Sequence, residues 1–155
     1  MTNEIETLHN IAGYNMCTNS NQSDKGRVTL YVKNSIPVMV KPVKTFIRNG
    51  IETIFADLNT PSGIITVGFL VYKRSVDIST ENFSIELEEI ISFLDPNIET
   101  CIMGDFTINL LDYSTSPPVI IFLNLMISRN YYNVITRQTQ VTPISCTLID
   151  NIFFN

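Results

Sequence analysis

One short stretch of this sequence combines residue types that could do chemistry at the end of a strand. The apolar run at positions 101–103 stops at Gly104, and the carboxylate of Asp105 follows at once. Ligands and metals usually bind at the rim of an α/β sheet, where strands end, and a glycine lets the backbone turn or approach a ligand closely there. The pattern therefore indicates a buried strand that ends in an acid at a sheet rim. The same pattern is also typical of a strand followed by an acidic turn, which is the commoner case.

The elements that would position this acid begin with a hairpin. Residues 51–58 alternate in a way that is typical of a strand, and residues 64–71 are almost continuously apolar. A turn sequence rich in Pro and Gly joins them at 59–63, which predicts an antiparallel pair. An earlier strand is predicted at 28–32, where β-forming residues are dense. The second strand of the hairpin runs directly into Tyr72.

Helical periodicity follows the hairpin. Apolar residues recur at helical spacing between positions 83 and 94, with glutamates in the gaps that form a solvated face. Thr80 is predicted as the N-cap, and Pro96 ends the helix. Strand, helix and strand therefore alternate around Asp105.

The last third of the chain predicts one more helix and one more strand. Ser116 followed by Pro117 is typical of a helix start, and a mostly buried helix is predicted to run to Ser128. The final strand, at 147–154, carries Asp150 among apolar neighbours. Residues 1–26 are polar and are predicted to be irregular surface chain.

Bulk composition bounds the class of protein. The 155 residues include 45% hydrophobic types, enough for one domain with a core, predicted at 1–155. The net charge of −5 argues against broad electrostatic capture of nucleic acid, which needs clustered positive charge. Three cysteines without paired spacing favour reduced thiols. No secretory signal or membrane-length apolar run occurs, so we expect no membrane association and a nuclear or cytoplasmic, intracellular location.

Several motifs together resemble one known family. The stretch 104–111 is similar to the Gly-Asp-Phe-Asn-Ile-Asn motif of the endonuclease/exonuclease/phosphatase superfamily, and most resembles the endonuclease domain of LINE-type (non-LTR) retrotransposons. Further segments match in the family's order and cover nearly the whole chain: 13–15, 30–34, 71–73 and 147–153. The resemblance implies an α+β fold, a two-sheet β-sandwich flanked by helices, here incomplete. The family's domains are longer, so we expect a partial domain, truncated at both ends.

The resemblance also implies a chemistry, namely metal-dependent hydrolysis of DNA phosphodiesters, which nicks a target site beside an associated reverse transcriptase. Asp105 would be the catalytic and metal-binding aspartate, and the cofactor would be Mg²⁺, with Mn²⁺ as a substitute. Tyr72 would contact the phosphate, although an interfacial tyrosine with a packed ring and a solvated hydroxyl fits the sequence equally well. Asp150 would orient the active-site cluster, and Thr107 occupies the position of the family's catalytic asparagine. The implied partner is DNA, although no basic patch supports it.

This copy departs from the family pattern at several of these positions. Thr107 cannot offer the separate donor and acceptor of an amide, and Lys73 replaces the proline that usually follows the tyrosine. Gln140 replaces a usual arginine, and the family's Ser-Asp-His does not appear in the sequence. Glu6 is only a partial echo of the metal-binding glutamate, and His9, the single histidine, is interpreted as a loop residue.

Three hypotheses follow from these departures. The first is a retrotransposon-type endonuclease domain with impaired catalysis, because losing a preorganised contact commonly costs on the order of 10²-fold in rate. The second is a catalytically inactive, truncated relic, and the third is a non-catalytic module on the same scaffold. A partial sandwich would leave sheet edges uncovered, so self-association through those edges is also predicted.

Overall fold

The structure is a computed structural model that describes residues 11–18, 28–41, 46–48, 51–72 and 79–155, with the backbone alone at 46–48 and 71–72. The strands are β1 (Tyr14–Thr18), β2 (Thr29–Lys33), β3 (Val38–Val40), β4 (Phe46–Arg48), β5 (Ile51–Thr60), β6 (Gly63–Tyr72), β7 (Thr100–Asp105), β8 (Tyr132–Asn133), β9 (Gln140–Val141), β10 (Cys146–Thr147) and β11 (Asp150–Phe154). The helices are α1 (Thr80–Ser92) and α2 (Pro117–Ser128), and a 3-10 turn spans Leu110–Asp112.

A seven-stranded mixed sheet dominates the described residues. Its strand order is β3-β5-β6-β7-β11-β8, and β4 pairs with β5 beside β3. The hairpin predicted from the turn at 59–63 is confirmed, since β5 and β6 pair antiparallel along their whole length. The pair β6–β7 is parallel, with α1 as the connection between the two strands. Two parallel neighbouring strands need a crossover connection. The predicted order of strand, helix and strand supplies that connection.

Both described helices cover one face of this sheet. Alternation along the strands sends every second side chain to that face, where the larger core forms. Helix residues such as Phe83 and Phe122 pack there against sheet residues such as Phe55 and Phe153, all of which are buried. Ring contacts link Phe122 to Phe83 at 6.0 Å and to Phe153 at 5.6 Å between centroids. This core fixes the sheet relative to the helices.

A second, smaller core lies on the opposite face of the sheet. The antiparallel pair β1–β2 supplies Cys17, Leu30 and Val32, and β5 supplies Ile54 and Ala56. The buried carboxylate of Glu52 accepts a hydrogen bond at 3.0 Å from the backbone N–H of Val28. A second sheet layer is therefore present as two strands, and the α+β fold predicted from the sequence is confirmed.

Three local predictions need correction. Residues 14–18 form β1 rather than irregular chain. Backbone pairing with β2 stabilises this polar segment, which has little strand propensity of its own. The N-cap of α1 is Ser79, whose hydroxyl accepts from the backbone N–H of Asn82 at 3.2 Å, and not Thr80. The final strand is interrupted at 148–149 and divides into β10 and β11.

Other boundaries agree with the sequence. Helix α2 begins at Pro117 after the N-cap Ser116, and it ends at Ser128 as predicted. It is not mostly buried as predicted, because its only buried residues are Val119, Phe122 and Met126. No helix within the described residues is long and apolar enough to cross a membrane.

Candidate functional site

Two carboxylates meet at the end of the central strands. In the antiparallel ladder between β7 and β11, Asp105 pairs directly with Asp150. Directly opposed residues point to the same face, with Cβ atoms about 4.5–5.5 Å apart. In the parallel ladder on the other side, Asp105 pairs with Val71 of β6. The two acids that the sequence singled out separately are thus neighbours in space.

Close backbone packing shapes the strand end before Asp105. Gly104 has φ +154°, and a Cβ added there would lie 1.6 Å from the carbonyl oxygen of Leu70 on the adjacent strand. Only glycine permits this approach. The glycine predicted to allow a turn or a ligand contact is therefore needed for the contact between β6 and β7.

Phe106 anchors the chain that leaves the strand. Its side chain is buried in the larger core, 5.2 Å from Phe153 and 5.7 Å from Phe122 between ring centroids. Its backbone N–H donates to the carbonyl of Ile149 at 3.0 Å. Both the ring and the backbone of Phe106 are therefore held in place. This limits how far the neighbouring carboxylate of Asp105 can move.

Thr107 adopts an unusual backbone conformation beside the acid. Its φ is +49°, in the left-handed region that β-branched residues rarely enter. Its backbone N–H donates to Oδ1 of Asp105 at 2.8 Å. Its own Oγ1 is buried and has no hydrogen-bond partner within the described part of the chain. Asparagine, the residue that the resemblance predicted at this position, enters this region more readily than a β-branched residue.

Asp150 is exposed at the start of β11 and borders the β9–β10 hairpin. Its backbone N–H donates to the hydroxyl of Thr139 at 3.3 Å, and Thr139 in turn donates its N–H to the carbonyl of Thr147 at 2.9 Å. Gln140, at the position where arginine is usual, is exposed in β9, and its Oε1 accepts from the hydroxyl of Thr147 at 3.3 Å. The amide is therefore engaged within its own hairpin.

Tyr72 ends β6 at the same end of the sheet. Its backbone pairs with Ile51, one residue beyond the Val71 that pairs with Asp105. Its side chain is not described, so its role as a phosphate contact stays a prediction. The departures noted at Glu6, His9 and Lys73 lie outside the described residues.

The structure places a third acid, Glu52, in line with Asp105 across the sheet. Sequence reasoning treated Glu52 only as part of an alternating strand. Glu52 pairs with Val71, and Val71 pairs with Asp105, so Glu52 lies two strands from Asp105 in the same register row. Its relative exposure is only 6%. Its alternation with Ile54 and Ala56, both buried, is the signal that could have marked it as an inward-facing charge. The hydrogen bond from Val28 gives it a structural function between the two sheets.

The donor set at Asp105 and Asp150 fits a hard divalent cation. Magnesium is commonly held by one or two carboxylates, with water and substrate phosphate completing its shell. One oxygen of Asp105 accepts from Thr107, and no hydrogen bond from a described residue reaches the other. Within the described residues, no group of three or more acidic, histidine or cysteine side chains forms a complete metal cage. The pair of carboxylates could hold such a cation together with a substrate phosphate.

Ion pairs engage some of the described positive charges away from Asp105 and Asp150. Two of the described cations are engaged with acids elsewhere: Lys41 with Asp57 at 2.6 Å and Arg129 with Glu88 at 2.8 Å. With a net charge of −5, the chain offers little long-range attraction to a polyanion.

Comparisons with known proteins identify the fold. The endonuclease domain of TRAS1, a telomere-specific non-LTR retrotransposon, matches 92% of this chain with a TM-score of 0.67 at 14% identity. TDP2 from D. rerio, complexed with single-strand DNA product, matches 97% with a TM-score of 0.59 at 10% identity. An endonuclease/exonuclease/phosphatase family protein from Leptotrichia buccalis C-1013-b matches 97% with a TM-score of 0.56 at 13% identity.

The chain spans 67%, 65% and 63% of the length of these three structures, respectively. No protein-family model and no curated protein matches the sequence. Identities this low identify the fold, and the fold is the one that the sequence motifs predicted.

Proposed function

Because this chain has the fold of the TRAS1 endonuclease domain and of other endonuclease/exonuclease/phosphatase proteins, we propose that it is a retrotransposon-type endonuclease domain that hydrolyses DNA phosphodiesters. The observation that carries the proposal is the direct opposition of Asp105 and Asp150 at the end of β7. Two facing carboxylates at a sheet rim are suited to hold a divalent cation against a phosphate.

In this proposal Asp105 and Asp150 hold Mg²⁺, or Mn²⁺ in its place, and Tyr72 donates a hydrogen bond to a phosphate oxygen. The cation would polarise the scissile phosphate and offset its negative charge. Water then adds to phosphorus, one P–O bond of the diester breaks, and the leaving oxygen gains a proton. The oxygen of Asp105 that does not accept from Thr107 would be available to hold the cation.

We further propose that this activity is weak. Thr107 stands where the resemblance implies an asparagine, and its hydroxyl oxygen is buried without a hydrogen-bond partner among the described residues. Losing one such donor commonly lowers kcat by about 10²–10³-fold. The same observation favours a second candidate, an inactive relic that retains the fold and the pair of acids without turnover.

The test is nicking of supercoiled plasmid DNA by the purified chain with Mg²⁺, with Mn²⁺ and with EDTA. The Asp105→Asn variant should abolish nicking, whereas Glu99→Gln, which removes an exposed charge just before the other end of β7, should leave it unchanged. Nicking that survives Asp105→Asn would contradict the proposal. Mn²⁺ binding without nicking by the folded chain would favour the relic.

A further inference from the structure

The side-chain amide of Asn109 makes three hydrogen bonds. Its Oδ1 accepts from the backbone N–H of Leu148 at 2.9 Å and from that of Leu111 at 3.4 Å. Its Nδ2 donates to Oδ2 of Asp112 at 3.0 Å. One amide thus joins the segment that follows Asp105 to the segment that precedes Asp150.

Two backbone hydrogen bonds run beside this amide and complete the connection. Phe106 donates its N–H to the carbonyl of Ile149 at 3.0 Å, and Leu110 donates its N–H to the carbonyl of Leu148 at 3.0 Å. Leu110 and Leu148 are both buried. The Leu148 N–H therefore depends on Asn109 as its acceptor, because leaving a buried donor unpaired costs its full desolvation penalty.

This connection lies between the two acids. The residues fixed by Asn109 and its neighbours, 106–111 and 148–149, are those directly after Asp105 and directly before Asp150. The ladder between β7 and β11 ends at Asp105 and Asp150. Beyond it, the two backbone hydrogen bonds and the Asn109 amide hold residues 148–149 beside the segment that follows Asp105.

We infer that Asn109 is a positioning residue that sets the separation of Asp105 and Asp150, and thereby the affinity of the pair for a divalent cation. The cation part of this inference rests on the proposed function, and the positioning part does not. The amide of Asn109 has a separate carbonyl oxygen and NH₂ group, so it can accept from Leu148 while donating to Asp112. An aspartate at 109 would instead face the carboxylate of Asp112.

The experiment uses the whole chain, with Mn²⁺ as the probe and electron paramagnetic resonance as the measure of binding. In parallel, NMR follows the cross-strand contact between the backbones of Asp105 and Asp150. The contact between Cys101 and Phe154, at the far end of the same ladder, is the internal reference. Asn109→Ala should weaken Mn²⁺ binding about tenfold or more and reduce the first contact while the reference stays intact.

Two further variants separate positioning from general stability. Asn97→Ala removes an exposed amide that donates to Asp95 at 3.1 Å, before the end of β7 opposite to Asp105, and should leave Mn²⁺ binding unchanged. Asn109→Asp combined with Asp112→Asn reverses the polarity of the donor and acceptor pair and keeps an acceptor for Leu148. This double variant should bind Mn²⁺ more tightly than Asn109→Asp alone, even if Asn109→Ala does not fold.

The outcomes are distinguishable. An unchanged contact between Asp105 and Asp150 in folded Asn109→Ala, with unchanged Mn²⁺ affinity, would overturn the inference. So would a double variant no better than Asn109→Asp alone. If the unmodified chain binds no Mn²⁺, the proposed function fails, and the NMR contact alone then decides whether Asn109 positions the two acids.

Discussion

Asp105 and Asp150 lie directly opposite each other across the antiparallel ladder of β7 and β11. Like charges in this arrangement repel, and the repulsion destabilises a sheet by roughly 0.2–1 kcal/mol. A purely structural sheet end would gain from a neutral partner at either position. The pairing therefore has a cost in stability, which the proposed cation would offset by neutralising the two charges.

Neutralising one of the two acids should raise stability and remove cation binding together. We expect Asp150→Asn to increase the free energy of unfolding by roughly 0.2–1 kcal/mol in EDTA, because the repulsion is relieved. Mn²⁺ should then no longer stabilise the protein. Thermal melts with and without Mn²⁺ measure both effects, and Glu99→Gln is the matched loss of one charge. A metal-free Asp150→Asn protein that melts below the parent chain would contradict this account.

Replacing Thr107 with asparagine should make the protein more stable. Thr107→Asn relieves a β-branched residue at φ +49°, and we expect a gain on the order of 1 kcal/mol in the free energy of unfolding. Thr107→Val keeps the branched shape but removes the unpaired hydroxyl, so it isolates that contribution. Urea denaturation compares the three proteins. A Thr107→Asn protein less stable than the Val variant would mean that backbone strain is not the limiting factor.

If the endonuclease proposal holds, the same Thr107→Asn change should also raise nicking. The amide restores separate donor and acceptor groups, and the plasmid assay should report an increase of about 10²-fold. Thr107→Val provides the control, since it offers neither group. Equal nicking by all three proteins would mean that this side chain does not contact the reacting phosphate.

Gly104 should be nearly irreplaceable, in contrast to Gly63. Both have positive φ, but a Cβ at Gly63 meets nothing within 4 Å, whereas one at Gly104 meets the carbonyl of Leu70. We expect Gly63→Ala to cost about 1 kcal/mol from backbone strain alone, and Gly104→Ala on the order of 3 kcal/mol or more. Denaturant melts of the two variants give the difference. Equal losses would show that β6 and β7 can separate to admit a methyl group.

The three cysteines should react with a thiol reagent in a fixed order. Burial raises the pKa of the Cys17 and Cys101 thiols above the ordinary value, so less thiolate forms at a given pH, and the thiolate is the reactive form. Cys146 is exposed and should be labelled first at pH 8. Mass spectrometry of timed samples identifies the sites, with Cys146→Ser as the control. Raising the pH should speed labelling of the other two, and early labelling of Cys17 would indicate that β1–β2 separates from the main sheet.

The sequence by itself determined the elements with strong periodicity and the acid at the strand end. The hairpin β5–β6, the two helices and Asp105 all follow from local patterns, because alternation, caps and breakers act over a few residues. The strand β1 was missed because its stability comes from pairing with β2 and from contact with the second core, not from its own propensity.

Only the tertiary structure decided which residues lie together in the candidate site around Asp105. The opposition of Asp105 and Asp150, the row that continues to Glu52 and the connection through Asn109 join residues far apart in the chain. Register across a sheet depends on the whole packing of its two faces, and one residue of slip would reverse every side chain. Local sequence could identify the acids, but the fold alone brought them together.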